Sequence, residues 1–362
     1  KNDAPVITTL NEAGAIMIGK ANLHEFAFGI TNNNPFYGPA KNPWNPELIP
    51  GGSSGGSAVS VAANLAAASI GTDTGGSVRI PAASCGLVGM KPTKGLLSGQ
   101  GTTPLSWTLD HIGPIARDID DLTILMTALT NMHLVLLEST DLTGLKIGIP
   151  INFFKDQVED ELLAFYTDSA LKLEKLGAEL IEVEVPGAEE AMELTFTIAI
   201  TEAAYVHRKN IEMKFDQFGD DVKQIMESSK SIPEQGYINA MKRRADLSDL
   251  LKNTFQDIDV LLTPTLPVEP KPIGQEVVEI NGKKEPIFDC MNRLTNYFNV
   301  TGYPALTIPI GMSSKGLPVG IQMAANQMND ALLLRTAKVY EKEYLDDFYQ
   351  KRTEVLSGVV EN

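Results

Sequence analysis

Short apolar runs alternate with amphipathic stretches along most of the chain. Runs closed by Gly or Pro, as in "LKIGIP", "GAELIEVEVP", "DVLLTPTLP" and "GYPALTIPIG", predict strands. Between them the apolar positions recur with a helical period. "DHIGPIARDIDDLTILMTALT" predicts a strand, a turn and a helix from about Asp118, and residues 188–257 predict mostly helix with a charged outer face. "APVITTLNEAGAIMIGKANLHEF" predicts a helix ending near Gly14 and then a buried strand over residues 15–18, with Lys20 at its end. Residues 57–69 are mostly small and predict one helix, capped by Ser57 or a neighbour. "LVGMKPTKGLLS" adds a strand and turns, and the alternation throughout predicts an α/β fold.

Two places break the rhythm. Residues 29–55 are rich in Asn, Pro and Gly, a loop of a length more often functional than idle. In "ALTNMHLVLLES", near Asn131, one helical run meets a second apolar run with no turn residues between them.

Composition narrows the function classes. A chain of 362 residues with 43% hydrophobic and 21% charged positions can bury a large core, so disorder is excluded. Its formal charge of −16 repels phosphate backbones and anionic lipid, which argues against a nucleic-acid or membrane partner. Cys85 and Cys290 are too few for a disulfide framework or a thiolate metal site, and a reducing, cytoplasmic setting fits them. No apolar run is long enough for a membrane span, and the first residues lack a secretion signal.

"GAIMIGKA" falls one residue short of a phosphate-binding loop, with Ala21 at the hydroxyl position, and "AIMI" has the character of a buried strand. "GGSSG" fits the G-x-S-x-G elbow with Ser53 as nucleophile, but "NPWNPELIP" before it is no buried strand. The elbow would also need a base from His111, His133 or His207, and His111 in "LDHIG" has the setting of a structural imidazole. A better reading joins two Gly/Ser clusters, residues 51–57 and 71–77. Acyl transfer needs a nucleophile, a proton acceptor and N–H groups aimed at the developing oxyanion. "TDTGGS" offers Ser77 as nucleophile, while Gly75 and Gly76 free the backbone to turn successive N–H groups into one concavity. Asp73 and Arg79 flank it, either as a buried pair that stiffens the loop or as a solvated surface pair.

"GGSSGGSAVSVAANLAAASIGTDTGGSVRIPAASCGLVGMKPT" resembles the signature segment of the amidase signature family, serine hydrolases with a Ser-cisSer-Lys triad. "AGAIMIGKANLHEFAFG", "NPWN", "LDHIGPIARDIDDL", "DVLLTPTLP" and "GYPALTIPIG" follow in family order, so the likeness spans most of the chain. It implies a single domain over residues 1–362, with a central mixed twisted sheet covered by helices on both faces. It also implies amide hydrolysis to carboxylate and ammonia or amine, with no metal or cofactor. Ser77 is then the nucleophile, Ser53 the cis-serine, and the N–H groups of Thr74, Gly75, Gly76 and Ser77 the oxyanion hole. Asp73 and Arg79 support the loop. Phe28, Gly29 and Gly52 touch substrate, with Phe36 and Tyr37 beside them.

The family's lysine lies upstream of Ser53 at a distance these residues do not reach, and Lys1, Lys20 and Lys91 occupy other settings. The expectation is an omitted N-terminal segment carrying it, and an omitted loop near residues 130–132. A neutral lysine relaying through Ser53 predicts an alkaline optimum. Two alternatives stand beside a general amidase, whose partner is a small-molecule amide and which is compatible with a homo-oligomer. One is the glutamine-hydrolysing A subunit of a glutamyl-tRNA amidotransferase, against which Asn292 stands where that subunit carries an acidic residue. The other is a non-hydrolytic binding protein of the same fold. Aliphatic, aromatic and peptide amides, and esters, all remain open as substrates.

Overall fold

The computed structural model describes residues 3–130 and 141–357. Lys1, His133 and the join expected near residues 130–132 lie outside the described residues.

The chain opens with α1 (Pro5–Glu12), whose proline sits where an N–H has no helical partner, and which buries Val6. Residues 15–18 do not form the expected strand. They have no ladder partner among the described residues, and Ile16, Met17 and Ile18 are exposed. Apolar character alone does not make a strand where no neighbour accepts its backbone bonds. The loop that follows holds only the two-residue pair β1 (Asn33–Asn34) and β2 (Gly38–Pro39).

The helix expected over residues 57–69 is split. Helix α2 (Gly55–Ala62) ends where Asn64 takes a positive φ of 58°, and the rest becomes β3 (Ala68–Asp73). Next come α3 (Arg79–Ser84), β4 (Val88–Lys91), β5 (His111–Ala116) and α4 (Ile119–Thr130). Beyond the undescribed segment lie β6 (Lys146–Pro150), α5 (Asp160–Lys175) and β7 (Glu179–Val183). Three helices follow, α6 (Ala191–Lys214), α7 (Asp220–Ser228) and α8 (Glu234–Thr254). The remainder is β8 (Val260–Pro264), the hairpin β9 (Val277–Ile280) and β10 (Lys283–Pro286), α9 (Ile287–Asn292), α10 (Tyr297–Thr301), β11 (Ala305–Met312), β12 (Pro318–Ala325), α11 (Asp330–Tyr344) and α12 (Asp346–Leu356).

Eight strands form one mixed sheet in the order β3-β5-β4-β11-β12-β8-β6-β7. The β6 pairings with β7 and β8 are parallel, and the others are antiparallel. Side chains on β5 alternate between two layers of helix, as a strand's period of two requires. Ile115 packs with Ala58, Val61 and Val78 on the α2–α3 side, whereas Ile112 packs with Val6 and Leu129 on the α1–α4 side. A glycine at position 71 of β3 matters here, because a Cβ there would lie 2.6 Å from the Oγ of Ser54, the residue that leads into α2. That close approach brings the two Gly/Ser clusters side by side. Among the described residues no helix is long and apolar enough to cross a membrane.

Candidate active site

The turn from β3 into α3 carries residues 74–78, and Asp73 holds both of its ends. Its carboxylate accepts the backbone N–H groups of Val78 at 3.1 Å and Arg79 at 3.4 Å, and the Arg79 guanidinium at 3.0 and 2.8 Å. Both side chains are fully buried, so the pair is not a solvated one. The remaining guanidinium N–H groups donate to Thr295 O, Gln322 Oε1 and Asn299 Oδ1. Burial works to raise the Asp73 carboxyl, but the charge and hydrogen bonds of Arg79, with a bond from Asn299, outweigh it and hold it well below the usual range.

Within this clamp Gly76 has φ +135°, and a Cβ there would lie 2.1 Å from Thr295 Oγ1. Only glycine fits both demands. Thr295 Oγ1 donates to Gly75 O at 2.6 Å, so the loop is also pinned from the α9–α10 segment. The Thr74 hydroxyl donates to Asp110 at 2.7 Å, and Asp110 in turn accepts the N–H groups of Leu105 and Ser106, both at 3.0 Å. Burial raises the Asp110 carboxyl to about 6 against those bonds.

The first cluster lies against the second. The Ser54 N–H donates to Ser77 O at 3.2 Å, and the Ser54 hydroxyl is bonded to the backbone of Thr72. Ser57 Oγ donates to Ile70 O. Among the described residues the Ser53 and Ser77 hydroxyls have no such partner, and both residues are buried. The Gly52–Ser53 peptide bond is cis, and Ser53 O accepts the His24 N–H at 3.1 Å.

Above Ser77 opens a cavity of about 670 Å³. Thr74, Gly75, Ser77, Phe28 and Gly29 line it. Gly52 and Gly76 stand behind that surface: a Cβ on Gly52 would meet the backbone of Ile30 and Asn32. Phe36 and Tyr37, expected in the wall, are instead exposed and outside the lining, because the β1–β2 turn carries them into solvent. Lys20 is exposed, and Lys91 is buried in β4, where burial, reinforced by Arg79, pushes its ammonium well below the usual range. Neither lines the cavity. The His111 Nδ1 lies 2.7 Å from Leu109 O, its buried Nε2 has no hydrogen-bond partner among the described residues, and the residue does not line the cavity.

Several contributors had no sequence signal tying them to the serines. Thr295 and Asn299 are four apart, one helical turn, but nothing in "LTNYFNV" points to Asp73 far upstream. Asp110 reaches Thr74 because β5 pairs with β3. Met192, Thr195, Phe196, Ala199 and Ile200 of α6 close one wall, and their helical spacing looked like ordinary core.

A family model described as Amidase matches residues 1–334. The A chain of the glutamyl-tRNA(Gln) amidotransferase of Neisseria meningitidis serogroup A is 35% identical, over 97% of this chain and 79% of its own length. A crystal structure of an amidase superposes with a TM-score of 0.89 at 34% identity, covering 94% of this chain and 77% of that one. The corresponding amidotransferase protein of Thermotoga maritima has a TM-score of 0.81 at 34% identity, covering 95% and 77%. With the paired serine loops on the edge of a mixed sheet, and a family match across nearly all of its length, the chain belongs to the amidase signature family.

Proposed function

We propose that the protein hydrolyses carboxylic amides through an acyl-enzyme on Ser77. The observation that carries this reading is the pair of uncommitted serine hydroxyls, Ser53 and Ser77, on two loops joined by the Ser54–Ser77 backbone bond, with Ser77 in the lining of a large cavity. Ser77 Oγ attacks the amide carbon, and its proton passes to Ser53 as Ser53 hands its own to the lysine that the family places upstream. The N–H groups of residues 74–77 take the charge of the tetrahedral oxyanion. Collapse breaks the C–N bond as the lysine, through Ser53, protonates the leaving nitrogen. Water then attacks the ester, loses a proton along the same path and releases the carboxylate.

A fluorophosphonate probe followed by peptide mapping tests the assignment on the full-length protein. The label is expected on Ser77 alone, and Ser77→Ala is expected to lower kcat at least about 10⁴-fold with an unchanged melting temperature. Labelling elsewhere, or turnover that survives the substitution, sinks the reading.

The relatives named as amidotransferase subunits favour a second reading, hydrolysis of glutamine within a larger assembly. Glutamine turnover that appears only when partner subunits are added would support it.

A further inference from the structure

The cavity over Ser77 has a chemical bias that no relative's name specifies. Its walls are apolar, with Phe28, Ile30, Leu105, Ala199, Ile200 and Ile287 all buried. Its ionisable lining residues are His24, Asp220, Asp221 and Glu276, and no Lys or Arg is among the described lining. The three carboxylates are exposed, so they stand at the open end. The polar lining side chains nearest Gly75 are neutral. Asn292 Oδ1 lies 3.2 Å from the point a Gly75 Cβ would occupy, and Thr195 packs beside it. One N–H of the Asn292 amide goes to Phe288 O at 2.9 Å, and its oxygen is open as an acceptor.

Arg79, Lys94 and Lys223 are committed elsewhere, and Arg244, beside Lys94, lies outside the described cavity lining. All five N–H donors of Arg79 are used by protein acceptors. The Lys94 ammonium donates to the carbonyls of Trp107 and Asp110, and Lys223 pairs with Asp220. A carboxylate entering this cavity loses its water and meets no compensating charge, and its approach is opposed by the mouth and by the net charge of −16. An alkyl or arylalkyl group meets apolar walls instead, while an uncharged amide N–H meets the Asn292 oxygen.

Building on the amidase reading above, we propose that this cavity selects amides whose acyl and leaving groups are uncharged and mainly apolar, and rejects carboxylate-bearing amides, free glutamine among them. The size agrees: about 670 Å³ is a typical volume for a drug-sized ligand and leaves much of the space empty around one small amino acid.

The test compares kcat/KM of the full-length protein for hexanamide, phenylbutanamide, the monoamide of adipic acid and L-glutamine at low ionic strength, with active sites counted by fluorophosphonate titration of Ser77. The two neutral amides are expected to exceed the two carboxylates by about 100-fold or more. A Phe196→Arg variant, which sets a cation in the lining at a half-exposed position, is expected to narrow the gap between hexanamide and the adipic monoamide by about tenfold. Ser77 titration reports whether that variant is folded. Labelled Ser77 with glutamine or the adipic monoamide as the better substrate overturns the selectivity and leaves the amidase reading intact. A gap unmoved in a titratable Phe196→Arg also overturns it. An unlabelled Ser77 with no turnover of any amide overturns both.

Discussion

Beneath Ser77, Asp73 and Arg79 are fully buried and every guanidinium donor is taken; at the mouth of the same cavity His24 meets Asp221 at 2.8 Å with Asp221 47% exposed. The first pair lies in a network joining β3, α3, α10 and β12, four elements distant in sequence. The second ties a loop residue to the start of α7. A buried ion pair contributes little net stability over an apolar replacement, yet losing one partner strands a charge in low dielectric. Its effect is to allow one arrangement of the turn. The mouth, wetted and screened, can change its residues at small cost. The contrast separates the part of the site that fixes where Ser77 sits from the part that decides what reaches it.

The sharpest way to break the contrast is Arg79→Met, which leaves Asp73 buried without its cation. The expected loss is about 3–5 kcal/mol, read by chemical denaturation. Because Arg79 holds the Asp73 carboxyl below the usual 3.8, the pair's contribution is complete above that value and fades as pH falls further towards the depressed one. The Arg79→Met protein should lack that part of the acid sensitivity. If it unfolds at the same denaturant concentration as the parent, the clamp is not what holds the loop.

Gly76→Ala comes next. It combines a φ of +135° with a contact at 2.1 Å from Thr295 Oγ1, and should cost about 2–4 kcal/mol. Activity should fall even in the folded fraction, measured as kcat per titrated Ser77, since the N–H groups proposed as oxyanion donors move with the loop.

Asp110→Asn is smaller and more specific. Burial raises this carboxyl to about 6, so the charge that accepts the Thr74 hydroxyl is present above that pH and lost below it. Activity of the parent should therefore decline as pH drops through about 6, and the asparagine variant should lose about tenfold in kcat near neutrality together with that acid limb. A retained limb at unchanged pH would assign it to another group.

Asp221→Asn should have the least effect, under about 1 kcal/mol in stability, because its partner contact is half open to water. A loss as large as that of Arg79→Met would erase the distinction between floor and mouth.

Much of the loop geometry around Ser77 was legible in the residues. Gly75, Gly76 and Ser77 form a turn in which Gly76 has no room for a Cβ, and Ser53 falls in a second Gly/Ser cluster one short helix and one strand away. The misreadings share a cause. Residues 15–18 look like a strand because they are apolar, yet a strand is defined by a neighbour. Residues 57–69 look like one helix because small residues suit both structures, and what divides them is the positive φ at Asn64 and the pairing of β3 with β5. Phe36 and Tyr37 are aromatic and sit in the right loop, but the short β1–β2 pairing turns them outward.

The sequence by itself determined the alternation that makes an α/β fold, the presence of two Gly/Ser clusters and the family, because these rest on residue type and local spacing. Only the tertiary structure decided that Asp73 and Arg79 are buried, that Thr295, Asn299, Gln322 and Asp110 support the loop, and that the cavity holds no uncommitted cation among its described lining. Those properties belong to side chains brought together from distant segments, and burial and electrostatic pairing come into being only when the sheet is assembled.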